Sequence, residues 1–385
     1  MSREVIRVAQ IMGPMIGGGV EATVMNHYRH IDHSRVQFDF VVNADSTVVP
    51  RAEIESMGGR VFTVPPYTRM PAYVRALHKL FVEQRPDIVH ANVNALSVFP
   101  LGVAAQVGVP VRVAHSHSTS HSGEGAKTAM KMVLRPFSRL FPTDYAACST
   151  VAARWLFGDG MVDAGKVHLI RNAIDINRFV FQATEREAKR AELGVRRGQL
   201  VIGQVGRLCF QKNQMFTLSV FARFLKDHPD AVLVLVGGGY SGSHMMEDVR
   251  ARIRELGIEG SVRVLGVRDD VNALYQAFDV LMFPSTYEGF GIAAVEAQTA
   301  GLPVIASDHV PRETDIVPGL MRFLPLRASD GSDAIEQWLN ALHDVAPVDV
   351  RLDQSELVRA AGYDIADSAA RLCDWYEQLV AKSGC

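Results

Sequence analysis

Two carboxylates, eight positions apart, bracket a glycine-rich turn in YEGFGIAAVEA, residues 287 to 297. Glu288 precedes the turn made by Gly289, Phe290 and Gly291. Glu296 falls about two helical turns later, in the run IAAVEAQTAG that Gly301 closes. Ionised carboxylates only accept hydrogen bonds, so the pair suits the hydroxyls at the two ends of an elongated, sugar-bearing ligand. The glycines permit a tight turn and close approach to the backbone, and the helix start at Ile292 offers free amides and a positive dipole end to phosphate oxygens. Read as ordinary structure, the first glutamate is an acid near a helix start and the second a solvated helix residue. Arg207 and Lys212 lie in VGRLCFQKN, just beyond a strand-like run. Ligands of open parallel sheets sit at the carboxyl ends of strands, so two cations there are placed to clamp a diphosphate, solvated surface charge being the plain alternative.

His115, His117 and His121 follow another strand-like run in VAHSHSTSHSG. Imidazoles ligate metals, but no carboxylate pair accompanies these three. A neutral ring exchanging one hydrogen bond with a polar ligand, or a plain polar loop, are the other readings. Gly17, Gly18 and Gly19 separate the first strand-like run from the helical VEATVMNHYRHI, so amides at that helix start either face an anion or simply turn the chain. The dinucleotide fingerprint G-x-G-x-x-G is incomplete there. Lys127, Lys131, Arg135 and Arg139 recur every four residues in KTAMKMVLRPFSRLF, beside Met130, Met132, Val133, Leu134, Phe137 and Leu140. Such a stripe fits an anionic membrane surface over residues 127–141, and equally an amphipathic helix whose basic face meets water, with Pro136 as a kink.

The elements that would carry these residues alternate between short β-branched runs and helix-period segments, which argues for parallel sheets with crossover helices. Strands are expected over 5–12, 38–43, 60–64, 87–91, 111–115 and 144–149, and again over 200–206, 231–237, 262–266, 280–284 and 303–307. The charge-dense stretch from Asp175 to Gly198 separates the two series and reads as a linker with a short helix. The segment DIADSAARLCDWYEQLVAK has helical apolar spacing and forms a terminal amphipathic helix. With 385 residues, 48% hydrophobic and 21% charged, and a net charge of −2, the chain is a globular protein of two domains with no sign of bulk nucleic-acid binding. Four scattered cysteines, none in a C-x-x-C pair, suggest neither a disulfide framework nor a zinc site, and fit a reducing cytoplasm. Charges at Arg3, Glu4 and Arg7 are wrong for a signal peptide, and Val98 to Ala114 is too interrupted to span a bilayer.

Read in order, GGGVE (17–21), DIVHANV (87–93), AHSHS (114–118), LIRNAIDINRF (169–179), VGRLCFQKN (205–213), LVGGG (235–239), EGFGIAAVE (288–296) and GLPVIASD (301–308) resemble the retaining GT-B glycosyltransferases of family four. The N-terminal half is most similar to bacterial exopolysaccharide and capsule enzymes. The resemblance implies two Rossmann-like domains facing a central cleft: 1–177 with 365–385 as the acceptor-side domain, its last helix returning to it, and 178–364 as the nucleotide-sugar domain. It implies that Arg207 and Lys212 hold the donor diphosphate, assisted by turn amides at Phe290, Gly291 and Ile292. Glu288 would lie near the donor sugar, Glu296 on the nucleotide ribose, and Gly18 and Gly19 near the phosphates and the acceptor. His115, with His117 as competitor, would face the reacting sugar. The implied reaction is transfer of a hexose or N-acetylhexosamine from a nucleoside diphosphate sugar, uridine-linked, to a glycan or lipid-linked acceptor. It would take place in the cytoplasm or at the inner membrane face. No D-x-D motif occurs, so neither a metal nor any other cofactor is expected. An epimerase or phosphorylase of the same fold, or a non-catalytic sugar-nucleotide-binding subunit, are the alternatives. Ala173 after Asn172 departs from the family's usual glycine, and HVPRETD departs after Asp308, so Glu313 is assigned no contact.

Overall fold

A computed structural model describes residues 5–119, 126–239, 244–331 and 334–384, with no side-chain description for 126–129. The chain forms two compact units, one running to Ile174 and resuming at Gly362, the other Asp175–Ala361. Both junctions fall three residues before the positions expected from the sequence. At the crossing point the backbone runs beside itself, with the Ile174 amide donating to the Tyr363 carbonyl (2.9 Å) and the Ile365 amide to the Ile174 carbonyl (3.0 Å).

The first unit holds β1 (Ile6–Gly13), β2 (Val36–Asn43), β3 (Arg60–Val64), β4 (Ile88–Ala91), β5 (Val111–Ser116), β6 (Asp144–Ala147) and β7 (Val167–Leu169), in the order β3-β2-β1-β4-β5-β6-β7. The second holds β8 (Val201–Val205), β9 (Val232–Val236), β10 (Val262–Gly266), β11 (Val280–Phe283), β12 (Val304–Ser307) and β13 (Met321–Leu324), in the order β10-β9-β8-β11-β12-β13. All pairings are parallel. Each order reverses once, between β1 and β4 and between β8 and β11. The crevice beyond the strand ends at such a reversal is where open sheets take ligands.

Helices cover both sheet faces, which is why the inner strands read as nearly unbroken apolar runs. In β1, Val8 packs into one core with Phe38, Ile88 and Val113, while Ala9 packs into the opposite core with Val89, Ala114 and Leu77. The terminal helix, Ile365–Ser383, lies on the first of these, burying Ala369, Leu372, Cys373, Tyr376 and Leu379 at three- and four-residue intervals.

Two strands escaped the sequence reading. β7 (VHL) and β13 (MRFL) are three- and four-residue edge strands, too short for alternation to register. The charge-dense stretch, expected as a linker with a short helix, belongs to the second unit. Its helix, Ala183–Glu192, buries Arg186 and Arg190, and both pair with the buried Asp279 at 2.5 and 3.1 Å. No described helix is long and apolar enough to cross a membrane.

Candidate active site

The reversal in the second sheet gathers the charged residues. After β8 the chain turns at Gly206 (φ +144°), beside Gly237 (φ +136°) at the end of β9. A Cβ at Gly237 would sit 2.1 Å from the Gly206 carbonyl oxygen, so this backbone approach admits only glycine. The loop that follows is pinned from within. Gln214 donates to the Arg207 carbonyl (2.9 Å) and accepts from the Cys209 amide (3.3 Å), while Gln204 donates to the Lys212 carbonyl (2.6 Å). Arg207 is half-buried at the start of this loop, and Lys212 ends its single 3-10 turn, Phe210–Lys212.

From the end of β11, Ser285 and Glu288 meet that loop. The Lys212 ammonium donates to Glu288 Oε1 at 2.5 Å, Ser285 Oγ donates to the same oxygen at 2.7 Å, and Gln211 Nε2 reaches Glu288 Oε2 at 3.2 Å. Lys212 Nζ also lies 4.8 Å from the centre of the Phe283 ring, a cation–π contact. Gly291, at φ +102°, caps the helix Ile292–Thr299, and a Cβ there would meet Phe283 at 2.9 Å. Phe290, just before it, is buried. The glycine is therefore what lets the turn close over Phe283 and start the helix beside Glu288.

One turn into that helix, Glu296 accepts from the Tyr275 hydroxyl at 2.8 Å. Burial raises the Glu296 carboxyl above its usual range, against the opposing pull of the Tyr275 hydrogen bond and the charges of Lys212 and Arg178. Burial beside Glu296 likewise holds the Tyr275 phenol well above 10. The assembly offers an ammonium paired to one carboxylate, a second carboxylate one turn into the adjoining helix, and that helix's start. It can exchange the Lys212–Glu288 ion pair for contacts to a phosphorylated sugar: the ammonium to phosphate, the freed carboxylate to a hydroxyl.

In the first unit the corresponding reversal is lined with neutral groups. His90 of β4 and His115 of β5 share a hydrogen bond, Nε2 to Nδ1, of 2.9 Å. Tyr376 of the terminal helix contacts His90 Nδ1 at 2.6 Å and receives a bond from Gln10 at 3.1 Å. Asn92 donates to Gln10 (2.9 Å), and His117 Nε2 donates to Asn92 (2.9 Å). The His115 and His117 rings stand 3.7 Å apart, centre to centre. Gln10, His27, His90, Asn92, His115 and Tyr376 are among the groups lining a cavity of about 20 Å³. Burial depresses all the histidines here: His117 to about 3, His27 to about 4, and His90 and His115 well below 6.5. They are therefore neutral at pH 7. His121 lies outside the described residues, and no group of three or more His, Cys, Asp or Glu able to hold a metal occurs among the described residues.

At the glycine loop, Gly17 is at φ +84°, Gly18 is the cap of the helix Gly19–His30, and the Glu21 carboxylate accepts from the Gly18 amide and, at 3.4 Å, from the Ile16 amide. An external anion at this turn would share it with the chain's own acid.

Tyr275, Ser285, Gln211, His90, Asn92 and Tyr376 were not singled out from the sequence. Ser285 and Gln211 had a local signal, lying three residues before Glu288 and next to Lys212. Tyr275 and Tyr376 had none, since aromatic residues in apolar helices read as core.

Residues 185–324 match the family model described as glycosyl transferases group 1, and residues 18–173 match the glycosyl transferase 4-like domain. The chain is 32% identical over 379 residues to the putative glycosyltransferase EpsF of Bacillus subtilis (strain 168), covering 96% of each chain. It is 24% identical over 390 residues to the Escherichia coli UDP-Gal:alpha-D-GlcNAc-diphosphoundecaprenol alpha-1,3-galactosyltransferase, covering 97% of each. In fold it matches Anabaena HepE, solved in complex with UDP-glucose, with a TM-score of 0.70 at 20% identity over 98% of both chains.

Proposed function

Because this chain belongs to the group 1 glycosyltransferases and has their two parallel-sheet units of GT-B type, we propose that it moves a hexose or N-acetylhexosamine from a UDP-linked donor with retention. The observation that carries this reading is the Lys212–Glu288–Ser285 cluster at the β8/β11 reversal, next to the helix start at Gly291 and the Glu296–Tyr275 pair. The bond from the sugar to the diphosphate breaks as the bond to the acceptor hydroxyl forms on the same face, and the hydroxyl proton passes to the leaving phosphate oxygen. Charge builds on the diphosphate in the transition state, so Arg207, Lys212 and the amides around Phe290, Gly291 and Ile292 act there. A diphosphate outweighs one carboxylate and draws Lys212 from Glu288, which turns to the donor sugar, while Glu296 takes the ribose. His115 polarises the sugar, and Gly18 and Gly19 border the phosphates and acceptor. These cations do the work a divalent metal does elsewhere, so turnover should survive a chelator.

The acceptor is a glycan or a lipid-linked sugar of bacterial surface polysaccharide synthesis. The name of the E. coli relative, which specifies a diphosphoundecaprenol-linked acceptor, supports that class. The enzyme then works in the cytoplasm, peripherally on the inner membrane face. Supporting this, Met130, Met132, Val133, Phe137 and Leu140 are exposed at 42, 47, 67, 50 and 64%. They lie beside Lys131, Arg135 and Arg139 where the helix Ala126–Leu134 gives way to a 3-10 turn at Arg135–Arg139. Failure to bind anionic liposomes at low salt would remove the membrane element. The reaction is tested by nucleotide release across a panel of nucleotide sugars, without acceptor and then with membrane lipid extract. Extract-stimulated release with one donor, lost in Glu288→Ala, is expected. Nucleotide-sugar binding without release or transfer would contradict it.

A further inference from the structure

The buried polar ring of the first unit has a direction. Tyr376 has one hydroxyl proton, accepts from Gln10 Nε2 at 3.1 Å, and lies 2.6 Å from His90 Nδ1, so that proton goes to His90. His90 then carries its own proton on Nε2, 2.9 Å from His115 Nδ1, and donates it there. His115 is left with its proton on Nε2. On the other branch, His117 donates from Nε2 to the Asn92 carbonyl oxygen, and its Nδ1 is a bare acceptor. His115 Nε2 and His117 Nδ1 have no hydrogen-bond partner among the described residues, and both side chains are buried, 3 and 7% exposed. A buried N–H without a partner is costly in a finished core and expected where a ligand completes the site.

We propose that Tyr376 and His90 are positioning residues for transfer: together they lock His115 as the Nε2–H tautomer, a fixed hydrogen-bond donor to a hydroxyl of the reacting sugar. This rests on the reading of His115 as facing that sugar. It gives the terminal helix a task beyond covering the sheet, because the only hydroxyl in the relay comes from Tyr376. The Tyr376 hydroxyl sets the proton position two residues away along the relay. Gln10, itself held by Asn92, donates to the Tyr376 oxygen and fixes it in place.

The test uses the full chain labelled with ¹⁵N-histidine, the His115 signals being assigned by their loss in His115→Gln among the thirteen histidines. The wild-type ring should show a protonated Nε2 and a bare, hydrogen-bonded Nδ1. In Tyr376→Phe the His115 signals should move to a mixture of tautomers, with kcat falling about tenfold and the donor KM changing less than about twofold. His90→Gln keeps an amide donor for His115 Nδ1, so it should restore the Nε2–H signature and return kcat toward wild type, where His90→Met does neither. A wild-type His115 protonated on Nδ1, or an unchanged tautomer in Tyr376→Phe and His90→Met, overturns the lock. A tautomer that shifts as expected while kcat stays unchanged in Tyr376→Phe and in His115→Gln overturns the catalytic link, and with it the placement of His115 at the sugar. The wild-type spectrum decides the first point even if the variants fold poorly.

Discussion

The two units share one architecture and differ in what they place at its reversal point. Between β8 and β11 stand charged groups: Lys212 against Glu288, with Glu296 hydrogen-bonded to Tyr275. Between β1 and β4, and next door on β5, stand neutral hydrogen-bonding groups: Gln10, His90, Asn92 and His115, joined by Tyr376. An ionic cluster in a partly desolvated crevice suits a ligand that carries its own charge, and a neutral network suits ligands recognised through hydroxyls. Within the proposed reaction the contrast gives the second unit the charged groups that meet the diphosphate, and the first unit neutral donors and acceptors that face the reacting sugar.

The largest expected consequence is in stability against pH, where the two units should respond with opposite sign. The unfolded chain protonates its histidines near 6.5, but the folded rings of His27 and His117 hold out to about 4 and about 3. The unfolded state thus binds more protons as pH falls below 6.5, and each such ring loses about 1.4 kcal/mol of stabilisation per pH unit until its folded value is reached. Glu296, raised above 4.5, behaves the other way: the folded state holds a proton that the unfolded carboxyl has released, so its contribution grows as pH falls toward 4.5. Asp270, whose carboxyl is lowered first by Arg268 and then by Lys189, loses its contribution only below its ordinary value of 3.8. Hydrogen exchange at pH 6.5 and 5, corrected for intrinsic rates, should show β4, β5 and the terminal helix loosening while β8 and β11 do not. Equal loosening would erase the distinction.

A smaller effect is expected at the Glu296 carboxylate. Tyr275→Phe removes the one hydrogen bond that lowers the Glu296 pKa and should raise the donor KM about fivefold with little change in kcat, because the ribose contact is made equally in ground and transition states. A fall in kcat at constant KM would move Glu296 from ribose binding to the chemistry. Smallest is Ser285→Ala. Glu288 keeps Lys212 and Gln211, so kcat should drop by about threefold, measured at saturating donor.

Much of the second unit's candidate site can be read from the sequence because its parts are local. Arg207 and Lys212 follow one strand within a few residues, and Glu288, Gly291 and Glu296 follow another. The Lys212–Glu288 bond itself was not legible, since the two residues are 76 apart in sequence and only the adjacency of β8 and β11 brings them together. The long β-branched runs of β1 and β9 announced themselves, whereas β7 and β13 did not. The pairing of Arg186 and Arg190 with Asp279 was not legible either, because Asp279 stands about ninety residues away. The first unit's relay was the least legible part. His115 was visible as a histidine after a strand, but Tyr376 is indistinguishable from a core aromatic until the terminal helix is seen packed beside β1 and β4.

The measurement that bears most directly on the account is the rate of sugar transfer in Lys212→Ala, set beside the affinity of the same variant for UDP. If Lys212 meets charge that develops on the departing diphosphate, turnover should fall at least tenfold, by clearly more than UDP affinity does. Unchanged turnover would contradict the assignment, and losses of equal size would make Lys212 a ground-state contact and leave the transition state to other groups.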